Sequence, residues 1–344
     1  MIAKIVTGAG YERKELADCL PLPAPFALHV FPSHRCNLKC GYCLHSLTPE
    51  LTARSGFKKT IMDLDVFKKC VKDAGRFSER LKVLIFAGWG EPLTHPDIVE
   101  MVKFAKHQNI AERIEIVSNG TLLTPDLSQR LIAAGLDRIR ISIQGINAEK
   151  CRDVAGVDVD FDDLVGNIRS FFTHRNHAKI FVKTVATAVP TEEDKEKFLQ
   201  IFGDISDEMA IEEVIPVIQE IDHSVFGSDF TKRHCGGEAE RVTVCPFPFY
   251  MAVIHPDGSY SPCCSPDIPL SLGNVGITPI SEIWGGEALQ EFRVAHLAGR
   301  RGDATICCSC PRPQYDIQPG DNLDGAANRL ISIYTNQKNE RTAE

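Results

Sequence analysis

Cys36, Cys40 and Cys43 stand at C-x3-C-x2-C spacing within CNLKCGYC, directly after an apolar run, Phe26–Phe31, that reads as a strand. A 4Fe–4S cluster takes four thiolates. Three clustered thiolates leave one iron without a protein ligand, free to chelate and reduce a small molecule. The competing chemistry is a zinc site, which wants a fourth ligand close by. His34 and His45 are the candidates for that ligand.

A second thiol set follows in the last third of the chain. Cys245, Gly258 and Cys263 lie within CPFPFYMAVIHPDGSYSPCC, and Cys307-x2-Cys310 comes later in ICCSCP. The HPDGS stretch reads as a hairpin turn with Asp257-Gly258 at its apex. Four thiolates from a hairpin and a distant C-x2-C can saturate a cluster, and an all-cysteine zinc site satisfies the same spacing. Cys264 and Cys308 adjoin these positions, and either could exchange with its neighbour. Cys19 and Cys70 read as small hydrophobes in packing.

These residues need a scaffold. The chain has 344 residues, 43% hydrophobic and 24% charged, with a formal net charge of −8. That is enough to bury one large domain and a smaller one. No basic run suggests a nucleic-acid footprint, and no apolar stretch approaches bilayer length. Met1–Pro25 carries charges and lacks the apolar core of a signal peptide. Thirteen cysteines without an export signal read as metal ligation in a reducing cytoplasm.

From residue 27 to 216, short apolar strands alternate with amphipathic stretches. The expected strands are Leu28–Phe31, Val83–Ala87, Ile114–Val117, Ile139–Ile143, Ile180–Val189 and Ile211–Val217. The expected helices are Asp63–Phe77, Pro96–His107, Pro125–Ala134, Asp162–Phe172 and Glu192–Phe202, several opening on Thr-Pro or Thr-Glu starts. This alternation predicts an α/β fold with a parallel sheet and helical crossovers, six units rather than the eight of a closed barrel. After Pro216, glycine, proline and cysteine become frequent, which predicts a second, smaller domain. The expected boundaries are 1–26 for an N-terminal extension, 27–216 for the barrel, 217–312 for the cysteine-rich domain and 313–344 for a helix and tail. Asn336–Glu344 are polar and expected to fray.

CNLKCGYC, with the aromatic Tyr42 before its last cysteine, resembles the cluster motif of radical S-adenosylmethionine (radical SAM) enzymes. The resemblance implies a partial (β/α)6 TIM-like barrel and a SAM-binding 4Fe–4S cluster on Cys36, Cys40 and Cys43. It further implies oxygen sensitivity and a flavodoxin- or ferredoxin-type electron donor. GWGEP, with Gly88, Gly90 and Glu91, looks like the family's glycine-rich motif for the methionine amino group. Ser118-Asn119 after the third strand, and Ser142 and Gln144 at the end of the fourth, stand where the family contacts SAM. Ile215, at the end of the sixth strand, is expected to wall the adenine. C-x12-G-x4-C, then Gly273-Asn274-Val275, Ile283-Trp284, Phe292-Arg293 and C-x2-C, resembles a SPASM domain in its shortened twitch form. That implies one auxiliary 4Fe–4S cluster on Cys245, Cys263, Cys307 and Cys310, an arrangement similar to that of the 2-deoxy-scyllo-inosamine dehydrogenases.

A fully thiolate-ligated cluster has no open iron for substrate, so electron transfer is its natural role, with a structural staple as the alternative. The expected reaction is hydrogen-atom abstraction from the carbinol carbon of a sugar, nucleotide sugar or aminocyclitol, followed by oxidation or epimerisation. Cys235 is the candidate thiol for returning a hydrogen atom in an epimerisation, against an incidental thiol, and Cys151 is a weaker one. Lys183 and Arg152 are expected to point into the barrel and hold a carboxylate of SAM or a polar substrate group. The rival readings are radical modification of a peptide or protein side chain, and a non-catalytic iron–sulfur or zinc module. The 26-residue extension is too short for a leader-binding domain of the kind many peptide-modifying enzymes carry, which disfavours the first rival.

Overall fold

The computed structural model describes residues 3–7, 14–54, 56–227, 229–265, 270–303 and 305–342. Ten strands form one sheet: β1 (Lys4–Ile5), β2 (Ala27–Val30), β3 (Val83–Phe86), β4 (Ile114–Ser118), β5 (Arg138–Ile143), β6 (Lys179–Val185), β7 (Glu208–Glu212), β8 (Met251–Ile254), β9 (Ser259–Ser261) and β10 (Gly273–Asn274). Their order is β1-β7-β6-β5-β4-β3-β2-β8-β9-β10. Strands β2 to β7 pair in parallel with their sequence neighbours, which is the expected six-unit partial barrel.

Crossover helices cover one face: α1 (Leu64–Ala74), α2 (Ile98–Gln108), α3 (Pro125–Ala133), α4 (Ala148–Ala155), α5 (Phe161–His174) and α6 (Glu192–Phe202). Their starts follow from local chemistry. Asp63, Thr124 and Asp160 each accept a first-turn backbone N–H. Thr191 and Asp194 close a reciprocal capping box. Alternation along the strands then sorts the residues. Leu84, Phe86, Ile114, Ile116, Ile139, Ile141, Ile180 and Val182 pack against the helices. The concave face carries polar groups, including fully buried Glu115, which pairs with Arg113 at 2.5 Å and Arg140 at 3.2 Å.

Four differences from the sequence expectation matter. The sixth strand is Glu208–Glu212 rather than Ile211–Val217, so Val214, Ile215 and Pro216 lie in the segment that follows it. The fifth strand ends at Val185, and Ala186–Ala188 form a single tight turn. The polar helix α4 was not anticipated.

Finally, the hairpin strand β8 pairs in parallel with β2, with Ala27 opposite Met251 and Val30 opposite Ile254. The cysteine-rich region therefore continues the barrel sheet. Its helices α7 (Ile280–Gly285) and α8 (Glu287–Leu297) send Ile283, Trp284 and Leu289 into the same core as the barrel helices. Helix α9 spans Ala327–Thr342, well into the stretch expected to fray; Ala343 and Glu344 lie outside the described residues. Among the described residues, no helix is long and apolar enough to cross a membrane.

Candidate active site

The three-cysteine loop leaves the C-terminal end of β2 and is pressed against the GWGEP turn after β3. A Cβ on Gly90 would stand 2.2 Å from the Ser33 carbonyl oxygen, and one on Gly88, at φ +122°, would stand 2.4 Å from the Phe31 ring. Only glycine permits that approach. The Glu91 backbone N–H donates to the Arg35 carbonyl at 2.8 Å, and Thr94 Oγ1 donates to Ser33 Oγ at 2.8 Å.

Asn119 Nδ2 donates to Asn37 Oδ1 at 2.9 Å and lies 4.0 Å from Cys36 Sγ. Tyr42 Oη donates to Gln144 Oε1, and Gln144 Nε2 donates to the Ser142 carbonyl at 3.2 Å. Tyr42, Gly88, Gly90, Glu91, Ser118, Asn119, Ser142 and Gln144 are thereby gathered around the cysteine loop.

Glu91 bridges the turn after β3 and the loop after β4. It is 2% exposed. Its carboxylate accepts from Leu93 N at 2.9 Å, Ser118 Oγ at 2.8 Å and Asn119 N at 2.7 Å. Burial raises its pKa, against the pull of these donors. The carboxylate joins two loops through these three donors. Ile215 lies three residues beyond the end of β7, in the segment that follows the strand.

Burial raises the pKa of all three thiols, with Cys40 pushed further by repulsion from Cys43 and Cys36. Cys43 is pushed up to about 11. Such thiols become thiolates when a cationic metal centre compensates them. Among the described residues neither candidate zinc histidine joins two of these thiols in a group whose ligand atoms lie within 4.8 Å of one another. His34 Nδ1 meets the Lys58 carbonyl at 3.2 Å, and His45 Nε2 meets the Trp89 carbonyl at 2.6 Å. Among the described residues the three sulfurs do not all fall within 4.8 Å of one another. A lone tetrahedral zinc, with Zn–S about 2.3 Å, would hold them about 3.8 Å apart.

Further around the mouth, Lys183 on β6 and Glu212 at the end of β7 meet at 2.6 Å, and His234 Nε2 lies 3.1 Å from the same Glu212 oxygen. Cys235 completes a group with Glu212 and His234 whose ligand atoms lie within 4.8 Å of one another. His234 Nδ1 faces the Glu213 carbonyl at 2.6 Å. Both ring nitrogens therefore face acceptors, and both must donate, which is the imidazolium form. Burial lowers the His234 pKa, but the Glu212 charge and hydrogen bond outweigh it and the net shift is upward. For Glu212, burial alone would raise the pKa. The charges of Lys183 and His234 reverse this and hold it well below the carboxylate range.

Of the sequence candidates, Lys183 and Cys235 belong to this cluster and Arg152 does not. Arg152 sits on the outer turn of α4, 61% exposed, paired with Asp158 at 2.5 Å. The helix that carries it turns it to solvent. Glu212 and His234 were missed. The signal available was a carboxylate on the neighbouring strand, two residues beyond Ala210, the register partner of Lys183, and so on the same face of the sheet. Cys151 is buried on α4.

The second thiol set converges. Cys245, Cys263, Cys307 and Cys310 line one cavity, together with Phe247, Phe292, His296, Arg301 and Arg312. Burial, then mutual repulsion led by Cys263, raises the Cys245 pKa. Cys264 faces elsewhere: Arg312 Nη1 donates to its carbonyl at 2.6 Å and to its sulfur at 3.0 Å. Cys308 is exposed and outside the lining. The Trp89 indole N–H donates to the Cys264 carbonyl at 3.2 Å, tying the GWGEP turn to this region. Arg301 Nη1 and Arg312 Nε are buried without an acceptor, which fits a cavity meant for an anionic, sulfur-rich group.

A partial barrel with three thiols at its C-terminal mouth, joined to a four-thiol cavity, defines an iron–sulfur radical enzyme with an auxiliary centre. The chain belongs to the radical SAM superfamily: the superfamily's sequence profile matches residues 30–202, and that of the SPASM iron–sulfur cluster-binding domain matches residues 245–311. Membership brings a 4Fe–4S cluster with SAM, and the second domain brings auxiliary iron–sulfur ligation.

The AdoMet-dependent heme synthase of Methanosarcina barkeri is 32% identical over 133 residues, 39% of this chain and 35% of that protein. The match thus spans about a third of that relative's length. Among solved structures, BtrN in complex with AdoMet and 2-DOIA has a TM-score of 0.52 at 18% identity, covering 83% of this chain and 92% of that one. Native anSMEcpe with bound AdoMet and Cp18Cys peptide has a TM-score of 0.57 at 17% identity, covering 93% and 100%. These likenesses establish the fold.

Proposed function

We propose that this radical SAM enzyme dehydrogenates a carbinol carbon of a small polyhydroxylated molecule: a sugar, a nucleotide sugar or an aminocyclitol. One observation carries the reading. At the barrel mouth an ionised Glu212 is clamped between Lys183 and His234, beside the Cys235 thiol. When bound, the SAM cluster with SAM supplies a 5′-deoxyadenosyl radical that removes a hydrogen atom, and the auxiliary cluster supplies a one-electron acceptor.

The chain's own residues do the rest. Glu212, held ionised, accepts a hydrogen bond from the carbinol hydroxyl and orients it, and the proton passes to solvent as the carbonyl forms. Lys183 and His234 keep Glu212 ionised and oriented. Asn119, Tyr42 and Gln144 fix the cysteine loop. The balance is one carbinol and one SAM converted to one carbonyl, methionine, 5′-deoxyadenosine and a proton. One electron enters and one leaves, the former from a flavodoxin- or ferredoxin-type donor.

Epimerisation at the same carbon is the variant outcome, with Cys235 returning the hydrogen atom and its thiyl radical restored by a proton and one electron from the flavodoxin- or ferredoxin-type donor. The second reading is modification of a peptide or protein side chain. It is favoured by the full-length likeness to a structure holding a peptide. Candidate substrates deuterated at the carbinol carbon test the choice under anaerobic, reducing conditions. Deuterium in 5′-deoxyadenosine with a carbonyl product supports the proposal; label transferred only from peptide side chains overturns it.

A further inference from the structure

We infer that Arg301 and Arg312 form a cationic wall that donates hydrogen bonds to the group held by Cys245, Cys263, Cys307 and Cys310, and that this wall makes the site an electron acceptor rather than a staple. The inference rests on the proposed auxiliary cluster and assigns the residues that set its redox character.

Both arginines line the four-cysteine cavity. Arg312 is fixed on three sides. Its Nη1 holds the Cys264 carbonyl and sulfur, its Nη2 pairs with Asp316, and its guanidinium carbon lies 5.3 Å from the Phe247 ring centre. That leaves Nε–H buried with no acceptor. Arg301 likewise keeps a buried Nη1–H with none. Native proteins leave few buried donors unpaired. Two on the walls of one cavity point to an acceptor between them, and a thiolate or bridging sulfide of a cluster is such an acceptor.

The electrostatics set the direction. A cluster with four thiolates is anionic and becomes more so on gaining an electron. Fixed positive charge and N–H donors beside its sulfurs favour the reduced state, which raises the potential. A structural staple has no need of either. Arginine suits the position, because its charge persists at any working pH and its planar donors stay aimed.

The test uses the full chain with Cys36, Cys40 and Cys43 changed to alanine, so that only the second site carries a spectroscopic signal. Anaerobic reconstitution should load about four irons per chain. The midpoint potential is then read by redox titration followed by EPR, with and without Arg312→Gln, Arg312→Lys and Arg301→Gln. Expected are downward shifts in Arg312→Gln and Arg301→Gln, a smaller one in Arg312→Lys, and unchanged iron content. Equal potentials in all variants with the cluster loaded overturn the inference alone. Failure of the parent chain to load a second cluster overturns the site assignment and the inference with it. If Arg312→Gln sheds its iron, the Arg301→Gln titration decides.

Discussion

The two thiol sites solve opposite problems. The first draws its cysteines from eight consecutive residues on one loop, braced from behind by the GWGEP turn, Asn119 and the Tyr42–Gln144 pair. Its supports are backbone contacts and hydrogen bonds that fix a short loop and leave one side to a ligand. The second collects four cysteines from three segments, between residues 245 and 310, into one cavity walled by aromatic rings and two arginines. An open site needs local rigidity; an enclosed one needs a finished tertiary fold. That contrast explains why one could be read from a short motif and the other only from a long resemblance.

The sharpest way to break the comparison is Cys40→Ala. SAM cleavage should fall to background while about four irons remain at the second site, read by 5′-deoxyadenosine formation and iron assay. Loss of all iron would mean that the sites assemble as one. Next in size is Glu212→Gln, which touches neither set of cysteines. Product formation should drop by about tenfold or more, as when a hydrogen bond to a charged group that orients the substrate is lost, while 5′-deoxyadenosine still forms without coupling to product.

Gly90→Ala attacks the bracing of the open site. Its Cβ would meet the Ser33 backbone oxygen, and overpacking of this kind costs about 1–3 kcal/mol. Calorimetry should show lowered stability together with weakened SAM binding and intact auxiliary absorbance.

A smaller effect concerns pH. The His234 pKa is raised in the folded chain from its ordinary 6.5. Its contribution is complete below that value and lost as pH rises through the raised one. Thermal unfolding should therefore show the native chain losing its advantage over His234→Gln as pH climbs above 6.5. Equal pH slopes would sink the imidazolium assignment. The smallest effect expected is none: Cys308→Ala should keep the auxiliary iron, whereas Cys307→Ala should lose it.

How far the sequence carried depended on whether structure was written locally. Helix α6 was placed to the residue, because Thr191 and Asp194 spell out its start. The sixth strand slipped because its true residues, Glu208–Glu212, hold only three apolar residues between two glutamates. The apolar run after it looked more strand-like. Lys183 was recognised as needing a partner, yet the partner lay on the misplaced strand. Helix α4, AEKCRDVA, has little apolar stripe to announce it, and missing it misdirected Arg152. The β2–β8 pairing joins residues more than two hundred positions apart, and hydrophobic pattern carries no such address.

That pairing has a consequence for synthesis. Strand β2 emerges early from the ribosome, but one of its two lateral neighbours, ending at Ile254, is made only after most of the chain. Until then an apolar strand beside the iron-binding loop presents bare amide and carbonyl groups to other nascent chains, an invitation to sticky misassembly. Truncation before residue 251 should accordingly yield insoluble protein, even though every barrel unit is present.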